Sequence, residues 1–319
     1  MSSLLEKSEL LFIYESTFSQ PNGDPFTGEQ RYDDETKKIL VSDVRIKRFI
    51  RDFFVAENSR LNEDKYEVYV IDTDKLSQGD KESGSAVRIN FMANKEKFKT
   101  EFGEVARASK KNKQEALAEK LLKKCIDVRL FGGISTKEGA AVNITGATQF
   151  AMLNPSKNCI DMRMHQNTSV FASSEEKSRG SIGTTTLVPY AVCQIHGWIN
   201  PYSAKLSGMT TDDEKDMFRA LWKSVNNSNT RSKSNQNSLL LLQIVYTESD
   251  EKLYGVDRLL KITSEKLDEQ LRNLTDFKFD FTELKLAAIS PKVREIRFFT
   301  EIEAIEAELT GDKFIKLKF

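Results

Sequence analysis

The chain has 319 residues, 39% of them apolar and 30% charged, and its lysines and arginines balance its acids to a formal net charge of zero. That balance excludes a uniformly basic nucleic-acid coat, so a surface for a polyanion must be a local patch offset by acids elsewhere. Cys125, Cys159 and Cys193 lie far apart without a Cys-x-x-Cys pairing, which argues against a zinc knuckle or a disulfide framework. The charged start MSSLLEKSELLFIYE is not of signal-peptide type, so a reducing cytoplasm and no membrane contact are expected.

Leu10 to Phe18 (LLFIYESTF) predicts a buried first strand, and the turn formers QPNGDPFTG predict a loop after it. Ser42 and Asp43 supply an N-cap for VRIKRFIRDFF, where Ile46, Phe49, Ile50 and Phe53 recur at i, i+3, i+4 and i+7. YEVYVID (66–72) and VRINF (87–91) alternate like short strands around the polar stretch DKLSQGDKESGS. From about Glu104 to Cys125 a basic helix is expected, with Ala116, Leu117 and Leu121 on one side.

Beyond DVRLFGG the pattern turns β-rich, through AAVNITGATQFAM, CIDMRMHQ and LVPYAVCQIHGWIN, the last two flanking a polar Gly/Ser-rich arm. DDEKDMFRALWKSV (212–225) predicts a second amphipathic helix with Met217, Leu221 and Trp222 apolar, followed by the linker NNSNTRSKSNQNS and the strand LLLLQIVY. The tail adds strands and a short helix. Strand, helix, strand early and again late, with long insertions between, predict an α+β unit of ferredoxin-like type.

Lys47, Arg48 and Arg51 fall on the side of the first helix away from its apolar stripe, with Arg45 one turn from Arg48 and only Asp43 and Asp52 as offset. Such a cluster suits a phosphate backbone, each contact contributing through counterion release; a solvated helix face is the alternative. Arg107 to Lys124 is a second basic stretch, of a kind that is often solvated. The arm from about Arg163 to Thr186 predicts a projecting hairpin in which Phe171, flanked by Arg163, His165 and Arg179, wedges between bases; a surface loop is the alternative. Asn229, Thr230, Arg231, Ser232 and Lys233 offer amide, hydroxyl and cationic donors to sugar and phosphate oxygens.

For catalysis the inventory is thin. There are two histidines, His165 and His196, and His196 lies in an apolar strand as a core residue would. Asp24, Asp33 and Asp34 in the loop after the first strand present carboxylates of the kind that bind a divalent cation, but turn chemistry explains Asp24 in PNGDP. RGSIG (179–183) lacks the Gly-Lys-Ser/Thr ending of a phosphate loop. No catalytic residue, metal or cofactor is therefore expected.

Taken in order, LLFIYESTFSQPNGDP, LVSDVRIKRFIRDFF, DVRLFGG, RGSIGTTTLVPYAVCQIHGWINP and NNSNTRSKSNQNSLLLLQIVY resemble the Cas-seven family, in particular its type I-B branch, the repeated backbone subunit of CRISPR Cascade. The resemblance implies a single hand-shaped domain. Its RNA-recognition-type palm would comprise about 8–72, 140–163 and 187–300, its helical finger or web insertion about 73–139, and its β-hairpin thumb about 163–186. It also implies a non-enzymatic subunit whose first helix lies against guide RNA and whose copies assemble head to tail. Implied partners are CRISPR guide RNA, the target DNA strand paired to it, a small-hand subunit and a large subunit. The related type III backbone subunits cut RNA with a loop aspartate, and a free-standing single-strand RNA-binding protein is the further alternative.

Overall fold

The computed structural model describes residues 5–71, 84–103, 111–138, 141–168 and 182–319. The amino-terminal elements are β1 (Ser8–Ser19), β2 (Tyr32–Asp33), β3 (Lys38–Ser42), α1 (Asp43–Leu61), α2 (Gly84–Ala93), α3 (Glu96–Phe102), α4 (Lys111–Leu122) and α5 (Ile126–Phe131). Then come β4 (Gly132–Ser135), β5 (Val142–Thr145), β6 (Thr148–Phe150), β7 (Leu153–Pro155), β8 (Arg163–Thr168), β9 (Ile182–Ile199), α6 (Pro201–Ser207), α7 (Thr211–Asn226) and β10 (Gln236–Tyr246). The last are β11 (Lys261–Thr263), β12 (Lys278–Asp280), α8 (Thr282–Ala288), β13 (Val293–Phe299), α9 (Glu303–Glu306) and β14 (Phe314–Lys316).

The central sheet runs β14–β13–β10–β1–β9–β6, with β8 pairing along β9 beyond that path. Its pairs are antiparallel except β13–β14, so the sheet is mixed. β1 lies at the centre because it is apolar on both faces. Leu10, Phe12 and Tyr14 join the core under α1 and α7, while Leu11 and Ile13 join a second core on the opposite face. The first core takes Ile46, Phe49, Ile50 and Phe54 from α1, and Met217, Phe218, Leu221 and Trp222 from α7, the stripes their sequences set at helical spacing. The second face is closed by the carboxy-terminal segment, whose Val256, Leu260, Phe277, Phe281 and Leu284 pack on β10 and β13.

Both long helices begin where their caps dictate. Ser42 Oγ accepts from Arg45 N at 3.3 Å, and Thr210 and Asp213 form a reciprocal capping box. Arg219 of α7 donates to Glu57 of α1 at 3.0 Å and to Tyr66 Oη at 2.8 Å, locking the two helices side by side.

Three local expectations are corrected. Val87–Phe91 is not a strand but the middle of α2, in which Ala86, Ile89, Met92 and Ala93 are buried. Its apparent alternation came from Arg88, which is buried because it donates to Glu67 at 2.7 Å and to the carbonyls of Val68 and Tyr69. Residues 66–71 form no ladder, only an isolated bridge from Glu67 to Cys125. In α4 the buried residues are Gln114, Ala118, Leu121 and Leu122, with Leu117 partly buried against the same core and Ala116 exposed instead of on the apolar side; the expected start of that helix, with Arg107, lies outside the described residues. Together α2, α3, α4, α5 and β5 close a third, smaller core.

Candidate nucleic-acid interface

Arg45, Lys47, Arg48 and Arg51 of α1 do not share one surface. Arg51 Nε donates to Asp127 Oδ2 at 2.9 Å; Asp127 is 0% exposed and also accepts Tyr69 N at 2.7 Å and Val70 N at 3.0 Å. Arg51 is thus 12% exposed, spent on a buried carboxylate. Lys47 turns to Asp43 at 2.9 Å and to Gln149 Oε1 at 3.3 Å, and both Lys47 and Arg51 lie over the Phe131 ring. Arg48 is 53% exposed and pairs with Asp52 one turn on, a solvated ion pair that leaves it available to an external anion.

Arg45 sits differently. Its guanidinium stacks over Phe49, 3.8 Å from the ring centre, its Nε is buried without a hydrogen-bond partner, and among the described residues it makes no ion pair. Burial holds its pKa below the ordinary arginine value, with Arg48 adding repulsion against attraction from Tyr14 and Asp52. A second cation that feels its charge is Lys233, from the polar linker after α7. Its ammonium is lowered by burial first and by the charge of Arg45 second, and among the described residues that ammonium donates only to Ser232 Oγ, at 3.3 Å. Two half-buried cations therefore feel one another's charge, and among the described residues neither makes an ion pair, an arrangement that an external anion would relieve.

The linker is held there by the end of β1. Thr17 N donates to Asn235 O at 3.0 Å and Gln20 N to Ser232 O at 2.7 Å. Asn229 and Arg231 of the same linker are exposed. Asn22 Oδ1 accepts from both Ser42 N at 2.7 Å and Ser42 Oγ at 2.8 Å, tying the loop after β1 to the start of α1. Gln30 N reaches Thr186 Oγ1 at 3.4 Å, tying that loop to the base of the arm. The arm itself begins as a hairpin of β8 and the start of β9, in which Arg163 pairs with Leu187 and His165 with Thr185. Arg163 and His165 share one exposed strand face, while Phe171 and Arg179 lie outside the described residues.

The loop aspartates shape turns. Asp24 accepts from Phe26 N at 2.9 Å and Thr27 N at 3.3 Å and pairs with Arg31 at 3.0 Å; the first of these bonds is the main reason its pKa is lowered. Asp33 accepts from Glu35 N and Thr36 Oγ1. Among the described residues no group of three or more His, Cys, Asp or Glu side chains could hold a metal ion. His196 Nε2 meets Glu9 Oε2 at 2.8 Å and its ring stacks on Trp198 at 4.3 Å, so it is satisfied within the sheet.

A family model described as CRISPR-associated protein Cas7 matches residues 6–282, which span β1, α1, the arm, α7 and β10. The chain belongs to the Cas7 family. A curated CRISPR-associated protein Cas7 of Haloferax volcanii is 26% identical over 303 residues, covering 88% of this chain and 82% of that protein. In fold the chain is similar to one in a solved structure titled "CRISPR RNA-guided surveillance complex, pre-nicking", with 12% identity, a TM-score of 0.53, and 98% and 96% of the two chains covered. Among the described residues of this Cas7 chain no helix is long and apolar enough to cross a membrane.

Sequence reasoning missed what DVRLFGG does in this Cas7 chain. Asp127 anchors Arg51, while Arg129 forks onto Asp213 at 2.6 and 2.8 Å and so fixes the start of α7. Gly132, at φ +88°, packs its backbone against that of Ile144 and Gly146. The visible signal was an aspartate and an arginine inside an otherwise apolar hexapeptide, residues that a short buried helix retains only when each is paired.

Proposed function

We propose that the chain is a CRISPR guide-RNA-binding subunit whose copies align head to tail along the guide to form the backbone of a type I Cascade effector, supporting target DNA pairing without cutting it. The observation that carries this is the pair Arg45 and Lys233, both half-buried and neither in an ion pair among the described residues, a gap in charge compensation at the start of α1, which is tied to the loop that reaches the base of the arm. Phosphates of a single strand are suited to fill that gap, and Arg48, Arg231, Arg163 and His165 extend the same rim. In this reading the order β10–β1–β9–β6, with α1 and α7 on one face, is a ferredoxin-like palm; α2 to α5 with β4 are the finger or web, and β8–β9 the base of the thumb. The covered second face of the sheet supports backbone clamping over base reading across the strands, which suits a protein that leaves sequence to guide–target pairing.

The test is the salt dependence of RNA retention. Arg45→Gln and Lys233→Gln should each flatten the slope of log affinity against log salt by about 0.7, the value for one phosphate on a single strand; unchanged slopes would refute the assignment. The type III-like alternative is tested by incubating the filament with complementary RNA and magnesium or manganese. Regular cleavage abolished by Asp24→Ala or Asp33→Ala would overturn the non-enzymatic reading. A small-hand subunit, a large subunit and a cytoplasmic setting belong to the same proposal.

A further inference from the structure

Phe18 combines two features that folding alone does not account for. It is 57% exposed, and its backbone lies in the left-handed region at φ +44°, a conformation that glycine or asparagine adopts freely and a phenylalanine adopts at a cost. The register to β9 runs unbroken past it, Thr17 with Tyr190 and Ser19 with Val188, so Pro189 stands opposite Phe18 and no ladder pair forms there. Residues on both sides of Phe18 also hold the linker: Thr17 N donates to Asn235 O and Gln20 N to Ser232 O. This end of β1 is therefore clamped against the segment that carries Lys233, whose ammonium feels the charge of Arg45. Burial does not explain an aromatic here, since most of the ring meets solvent. Strain kept at a binding rim is the usual sign of a side chain presented outward.

The geometry points to Phe18 as a stacking platform for one unpaired base of a single-stranded RNA, with the adjoining phosphate seated between Lys233 and Arg45. This rests on the guide-RNA reading above and deepens it, adding a contact that depends on the π-face of a base and not on charge. Every base has such a face, so the contact is indifferent to sequence. A second protein copy covering the ring is the competing occupant.

The experiment uses the full chain and a fluorescein-labelled single-stranded RNA, titrated at several salt concentrations. Phe18→Ala should weaken binding by on the order of 5- to 100-fold while leaving the salt slope unchanged, because no phosphate contact is lost. Phe18→Tyr should restore it. Phe18→Gly separates the two roles of the position, since glycine accepts the left-handed backbone: its thermal midpoint should equal or exceed that of the wild type while its RNA affinity falls. Unchanged affinity in Phe18→Ala would overturn the inference, as would a loss of self-association without RNA while affinity per chain is retained. A wild-type chain that takes up no RNA at low salt would instead refute the guide-binding reading itself, and the stacking site with it.

Discussion

Arg51 offers the sharpest separation of fold from function, because its position on α1 suggests RNA and its contacts dictate structure. Replacing it with Met leaves the Asp127 carboxylate, 0% exposed, with two backbone amides and no cation. Breaking a buried pair from one side costs about 3–5 kcal/mol; here the two amides remain and the arginine end is not fully sealed, so about 2–3 kcal/mol is expected. With an unfolding entropy of roughly 2.1 cal/mol/K per residue, a chain of this length should lose about 3–5 °C of thermal midpoint. Circular dichroism melts of Arg51→Met and Arg51→Lys measure it, the lysine variant falling between Met and wild type because it restores charge without the arginine fork. RNA affinity, measured well below the midpoint, should match the wild type in magnitude and salt slope. An unchanged midpoint together with a flattened salt slope would refute the reasoning, since it would mean that Arg51 serves phosphate and that Asp127 does not need it.

Glu57 is lowered from 4.5 to about 2, chiefly by its hydrogen bonds from Arg60 and then Arg219. A depressed carboxyl contributes stability that is full above its unfolded value and is lost as pH falls toward the folded one. The gap in midpoint between wild type and Glu57→Gln should therefore be constant above about pH 5 and close as pH falls from 4.5 to 2, as acid-series melts would show; a gap independent of pH would contradict it. At Gly146 a Cβ would fall on backbone atoms of Leu130, Phe131 and Gly132, which cannot move aside as a side-chain tip can. Gly146→Ala should destabilise by about 2–4 kcal/mol or abolish soluble expression, whereas Gly103→Ala, where a Cβ meets nothing, should melt as the wild type does.

Much of the frame was readable before any coordinates. α1 and α7 announce themselves because burial on one face forces a spacing, with Met217, Leu221 and Trp222 buried as it requires, and β1 and β10 do so as continuous apolar runs buried on both faces. The reading fails where a charged side chain is buried by a distant partner. Arg88 made α2 look like an alternating strand because Glu67, which pays for its burial, lies outside the helix. Arg51 looked like a free cation because its acid is 76 residues away. Arg45 and Lys233 were named separately as donors, but their approach across nearly 190 positions of chain is a property of the sheet, visible only once β1 and β10 are paired. Phe18 was taken simply as the end of a strand; nothing in LLFIYESTF marks the backbone reversal that turns its ring outward.

The layer that seals the far face of the sheet separates where this chain can be recognised from where it can stand alone. The match to the family stops at residue 282, yet β13 runs along β10 from Leu241 opposite Phe299 to Tyr246 opposite Val293. A fragment trimmed at the recognisable boundary would lack that neighbour and bare a long, leucine-rich row of unpaired amides and carbonyls, an invitation to stack on its own kind. The residues least useful for placing the chain among its relatives are thus those that keep it from becoming a fibre.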